Sequence, residues 1–293
     1  MNMFANIRSS EEPGSVIGAT LDHIKVESDF RWNLLIGIEA ALAVFIGVVV
    51  TTIIIPMSEA GLASLAIATA AIVPRVNQIL RINRERIWDQ GVGGWTANRK
   101  SIVSGTVILV SMLVVWAILA SIIERDILVE RFTFVGAAYP SEQFVLTGDR
   151  FAGHGWQFFF NNTAILILFF WFSFMFRSLG ASLALGWNAG RWSITLVLLT
   201  KVGLESAADP TMYIIYAFLA LIPHIILEGL AYIVGSLAGI FLSRGVTIYG
   251  FTNPRLYKVL NAVLVLAIIA FVIVIIGAVV ENYWPAYILQ FVE

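Results

Sequence analysis

The stretch Tyr213–Ser243, YIIYAFLALIPHIILEGLAYIVGSLAGIFLS, decides how the rest of the chain reads. It is apolar for longer than the roughly 20 residues a helix needs to cross a bilayer. Inside it stand a proline, a histidine and a glutamate: Pro223, His224 and Glu228. His224 and Glu228 are four positions apart, so a helix puts them on one face. Pro223 withdraws a backbone donor, which predicts a kink or a break and divides the span into two pieces hinged there. Ionisable groups at membrane depth are costly and face a bundle interior or a wet cavity. The pair therefore reads either as a proton-coupled or ligand-binding site, or as a polar lock between helices.

The whole chain shares the character of this stretch. Of 293 residues, 59% are hydrophobic and only 13% charged, with a mean hydropathy of +0.87. A soluble domain carries roughly twice that charged fraction. The fold class predicted is all-α, a polytopic transmembrane helical bundle. The net charge of −1 gives no footprint for nucleic acid. The absence of cysteine excludes disulfides, thiolate metal sites and cysteine nucleophiles.

Working outward, further spans are predicted at about 33–55, closing at Pro56, and 59–73, closing at Pro74-Arg75. Others follow at 102–123, from 156 to Arg177 or onward through 178–187, at 191–204, and at 259–280. With 213–243 this makes about seven crossings. Arg75, Arg81, Arg84, Arg86, Arg99 and Lys100 crowd the segment 75–100, and Arg244, Arg255 and Lys258 the segment 244–258. Basic loops face the cytoplasm. The connection 124–155 is richer in acids and falls outside. These assignments alternate if the N-terminus is cytoplasmic, and Tyr283, Trp284 and Tyr287 then form an outer aromatic belt.

The organisation expected is a cytoplasmic arm over 1–32 and a three-span region over 33–123 with its basic loop at 75–100. The outer loop 124–155, a transmembrane region over 156–244, and a last span with an outer C-terminus over 245–293 complete it. Residues Val76–Trp95 read as a solvated basic loop or an interfacial amphipathic helix. Glu39, near the inner end of the first span, is expected to reach the interface or pair with Arg31. No internal repeat is visible.

Gly186 with Gly190, and Gly235 with Gly239, have the spacing that lets membrane helices approach closely. Asn161, Asn162 and Asn188 are expected to cap helix ends. One histidine and one glutamate are too few for zinc, so no metal site is expected. There is no nucleophile elbow, P-loop, dinucleotide fingerprint or carboxylate pair at a plausible cleft, so no catalytic residue and no cofactor are assigned.

The segment 151–244 resembles the stage II sporulation protein M family of bacterial and archaeal membrane proteins. The likeness rests on the aromatic-asparagine run Phe158–Asn162, on Asn188-Ala189-Gly190, on Pro223-His224 with Leu227-Glu228, and on Gly235, Gly239 and Arg244. Ala189 and Ile225 depart from the family pattern. The resemblance implies a scaffold or assembly subunit in a cell membrane, multi-pass, of a bacterium or archaeon. Its partners would be membrane lipids and other membrane or envelope proteins, or further copies of itself. The alternative is a transporter or channel for a small solute, lipid or proton, using His224 and Glu228 at a broken helix. A dry, hydrogen-bonded crossing at these residues would favour the scaffold, a solvated cavity the transporter.

Overall fold

The computed structural model describes residues 29–133, 148–207 and 209–291. Among these every regular element is helical. The elements are α1 (Asp29–Ile54), α2 (Met57–Trp88), α3 (Gly94–Ile122), the short α4 (Arg125–Arg131), a 3-10 turn (Gly148–Arg150), α5 (Gly155–Phe176), α6 (Ser178–Ser206), α7 (Pro210–Ile248) and α8 (Pro254–Leu289). Six of them, α1, α2, α3, α5, α7 and α8, are long and apolar enough to cross a membrane. The protein is a multi-pass, all-α membrane bundle. The N-terminal arm 1–32 and the middle of the loop 124–155 lie mostly outside the described residues.

Contacts between helices fix their directions. Leu109 of α3 meets Gly229 of α7, while Ile233 of α7 meets Gly105, so α3 and α7 are antiparallel. Gly235 meets Leu166 and Gly239 meets Phe170, so α5 and α7 run parallel. Gly245 lies on Val259 and Gly277 on Leu227, the order of an antiparallel α7–α8 hairpin. Gly186 and Gly190 of α6 meet Thr69 and Leu65 of α2 in reverse order. The long helices therefore alternate in direction along the chain.

Two span boundaries differ from those expected. The second helix does not close at Pro74-Arg75 but continues through Pro74 to Trp88. Arg75 is 1% exposed and stays in the helix because it finds partners there. It pairs with Glu39 of α1, donates to Gln78 and lies 5.1 Å over the Trp32 ring. The residues from Val76 onward are thus neither a solvated loop nor a separate interfacial helix, and Glu39 is satisfied inside the bundle.

The second difference is α6. The fourth span stops at Phe176, and 178–187 and 191–204 form one helix. Arg177 between them has φ +53° and ψ −122°, the positive-φ conformation of a tight turn that reverses the chain. α6 packs against α2, α3, α5 and α7 and is the central helix. A central helix meets protein rather than lipid, so it tolerates Asn188, Ser182 and Ser193 and profits from small residues. That is why it lacks the hydropathy of a lipid-facing span and reads in sequence as two fragments.

Candidate functional site

α7 begins at a well-formed cap. The Asp209 carboxylate accepts from the Thr211 and Met212 amides, and Pro210 occupies the first helical position. The helix then runs unbroken to Ile248, with Pro223 inside it. A proline at 223 leaves the carbonyl of residue 219 without its helical donor. Here the indole Nε1 of Trp284, on α8, donates to the Leu219 carbonyl at 2.7 Å. The backbone group freed by Pro223 is satisfied by the neighbouring helix, so the expected break does not occur.

One turn below Pro223, Glu228 is 6% exposed and enters a cluster built from four helices. Asn162 of α5 donates through Nδ2 to Glu228 Oε1 at 2.6 Å and to Glu281 Oε2 of α8 at 3.2 Å. The two amide hydrogens of one asparagine thus serve two carboxyl groups. Both carboxyl groups thus lie on the same amide nitrogen. Two carboxyl groups so placed disfavour ionising together and are suited to sharing one proton. Arg191 of α6 stands within electrostatic reach of Glu228 and of Tyr232.

The cluster has a definite depth. Asn162 follows the first residue of α5 by seven positions, about 10 Å along the axis at 1.5 Å per residue. Counting from the reversal at Arg177, Asn162 and Arg191 stand at nearly the same level. Glu281 precedes the belt residue Trp284 by less than a turn. The carboxyl pair therefore sits about a third of the way in from the end of the bundle that carries α4, beneath the aromatic layer.

Around the pair, several buried polar atoms have no partner among the described residues. They include Tyr232 Oη, Ser236 Oγ and Asn282 Oδ1. His224 is 8% exposed and shares the face of Glu228, but Glu228 is held by Asn162. Tyr232 is clamped between Trp192, nearly parallel at 6.2 Å, and Phe169, edge-on at 5.4 Å.

Gly186, Gly190, Gly235 and Gly239 lie at helix crossings, where an added Cβ would fall 2.1 to 2.4 Å from a neighbouring atom. Asn161, Asn162 and Asn188 are not caps, because all three lie inside helices. Asn161 leans on Asn162, Asn162 bridges the carboxyls, and Asn188 donates to the Ala184 carbonyl one turn back. Arg81, Arg84, Arg86, Arg99, Lys100, Arg244, Arg255 and Lys258 gather at one end of the bundle. There the Trp88 ring meets Tyr249 and Arg255. Arg75 alone lies deeper, buried among α1 and α2.

Sequence reasoning missed Glu281 and Arg191 and recorded no carboxylate pair. Glu281 falls one residue past the apolar run 259–280, yet α8 continues to Leu289. Arg191 sits at the start of an apparent short span until α6 is recognised as one helix. The available signal was the small-residue segment 178–190, which suits the middle of a bundle.

No family model, curated protein or solved structure matches the chain.

Proposed function

We propose that this protein is a membrane transporter or channel of the proton-exchanging kind, working through the Glu228–Glu281 pair. The observation that carries the reading is the bridged pair itself: two carboxyl groups, one asparagine and one nearby guanidinium inside a membrane bundle. An isolated lock between helices needs none of these charges, since polar contacts across membrane helices contribute only about 1 kcal/mol on average. A carboxyl pair that holds one proton can release and rebind it, which is the chemistry of intramembrane relays. His224 is one helical turn from Glu228 and adds a second basic site on the same face.

The supporting topology is seven crossings, with α6 as the central one, and a cytoplasmic N-terminus in a bacterial or archaeal cell membrane. The alternation of helix directions and the gathering of basic residues at one end support it. Membership of the stage II sporulation protein M family belongs to the same proposal. Asn162 and Glu228, from two separate elements of that resemblance, meet directly in the structure.

A second reading, the scaffold or assembly subunit that anchors envelope partners, is favoured by the dry, hydrogen-bonded character of the crossing at Glu228. Glu228 and His224 are shut off from solvent, at 6% and 8% exposure. The two readings separate in one pair of experiments on purified protein. Proton flux into proteoliposomes, followed with a pH dye, should be present in the wild type. It should fall by about 100-fold in Glu228→Gln and in Glu281→Gln, the loss expected when a positioned proton acceptor is removed. Absence of flux in the wild type, or variants that carry as much flux as the wild type, defeats the transport reading. A stoichiometric membrane partner recovered in mild detergent from such a flux-silent protein would establish the scaffold instead.

A further inference from the structure

We propose that protons reach the carboxyl pair from the end of the bundle that carries the α2–α3 turn, through a water-holding passage along α7. This rests on the proton-exchange reading above and adds the direction and the route. His224, Glu228, Tyr232 and Ser236 follow one another at intervals of four, so each neighbours the next in a row that winds about 120° around α7 from the carboxyl pair toward α2 and α3. All four are at most 8% exposed. Tyr232 Oη and Ser236 Oγ lack partners among the described residues, while His224 has the Ala220 carbonyl one turn back within reach. Buried polar atoms are nearly always hydrogen-bonded, to protein or to ordered water.

Below the pair, Ser236 opens on a cavity of ≈ 50 Å³ between α2, α3, α6 and α7. One water needs about 10–15 Å³ and at least two polar partners, so in this otherwise apolar lining water has its place beside the hydroxyls. Ser101 of α3 also lines this cavity and supplies a second hydroxyl. Ser101 and Ile79 in turn line a smaller cavity of ≈ 10 Å³, shared with Asn83, Arg86 and Lys100 at the basic end of the bundle. In depth from that end come Lys100 and Asn83, then Ser101 and Ser236 on the cavities, then Tyr232 and the carboxyl pair further along α7. Toward the opposite end, the Trp284 indole bonded to the Leu219 carbonyl closes α8 onto α7.

The groups facing Glu228 are Asn162 from α5, Arg191 from α6, Glu281 from α8, and His224 and Tyr232 from α7. α3 contributes apolar Leu109, packed on Gly229. A proton arriving on water is taken by the Ser236 or Tyr232 oxygen, which gives up its own hydrogen to the next acceptor. The chain ends when a carboxylate oxygen gains a proton and becomes a carboxyl group. Nothing is oxidised or reduced, and each hydroxyl ends with the number of hydrogens it began with.

The natural chain has no cysteine, so single cysteines report cleanly. The full-length variants Ser236→Cys and Ser101→Cys are reconstituted in sealed vesicles. Silver ion, a charged thiol reagent about the size of a water molecule, is added to one side or the other, and the thiols it has labelled are counted after denaturation. Gln90→Cys, exposed in the α2–α3 turn, marks the near side, and Ala270→Cys, buried against α7, gives the dry background. The result expected is labelling of both serine positions from the side that labels Gln90→Cys, with none at Ala270→Cys. Either serine position carries the test alone if the other variant does not fold. Labelling at background level, as a cavity filled with hydrocarbon would give, overturns the route, and so does labelling only from the opposite side. Loss of flux in Glu228→Gln with an unreactive Ser236→Cys overturns the route while the carboxyl reading stands. Unaltered flux in Glu228→Gln overturns the carboxyl reading, and the proton route with it, whatever the labelling.

Discussion

At the scale of single residues, glycine decides how closely the helices approach. An added Cβ at Gly239 would lie 2.3 Å from the Phe170 carbonyl oxygen and 3.1 Å from the Phe174 amide nitrogen. Both are backbone atoms of α5 and cannot rotate away. At Gly186 the nearest atom is the Thr69 hydroxyl, at 2.4 Å, which can turn to another rotamer. Gly239→Ala should therefore cost about 1–3 kcal/mol, as overpacking does, and Gly186→Ala clearly less. Unfolding in mixed micelles, followed by loss of helicity, measures both; equal costs would show that α5 yields as easily as a side chain. The same spacing in sequence thus hides two energetic situations. Arg75 carries a similar lesson. Its position in a run of basic residues reads as a topology signal, whereas its burial beside Glu39 makes it a structural charge. Removing one partner of such a buried pair is costly because it strands the other.

At the scale of elements, α7 and α8 behave as one unit. Pro223 removes a donor from α7, and Trp284 of α8 supplies one to the same carbonyl. This coupling predicts a non-additive mutant cycle. Trp284→Phe in the natural chain should destabilise by about 1 kcal/mol, because it leaves the Leu219 carbonyl unpaired. In a Pro223→Ala background the helix donates its own amide, so the same substitution should cost much less. Equal costs in the two backgrounds, measured by the same unfolding assay, would show that the indole bond is incidental. α6 makes the complementary point. Its serines, glycines, Asn188 and Arg191 keep its hydropathy low. Such a helix belongs where its neighbours are other helices, and the structure puts it there.

At the scale of the whole molecule, alternation of the long helices places the α2–α3 and α7–α8 turns at one end and α4 at the other. Gln90→Cys and Asp126→Cys, both at exposed positions, should therefore label from opposite sides of a sealed vesicle. Labelling from the same side would dismantle the proposed seven-crossing topology. The class of this protein was written in its composition. Long apolar runs need a lipid solvent, because water would not tolerate them and lipid demands helices that satisfy their own backbone. The face shared by His224 and Glu228 was equally legible, since helical periodicity alone produces it. The continuity of α2 and α6 was not, because whether a proline or an arginine ends a helix depends on what stands beside it. The partnership of Asn162, Glu228 and Glu281 was not legible either. Glu228 and Glu281 stand 66 and 119 residues from Asn162 in the chain, and only the packing of α5, α7 and α8 brings a carboxyl from each of two helices onto one amide.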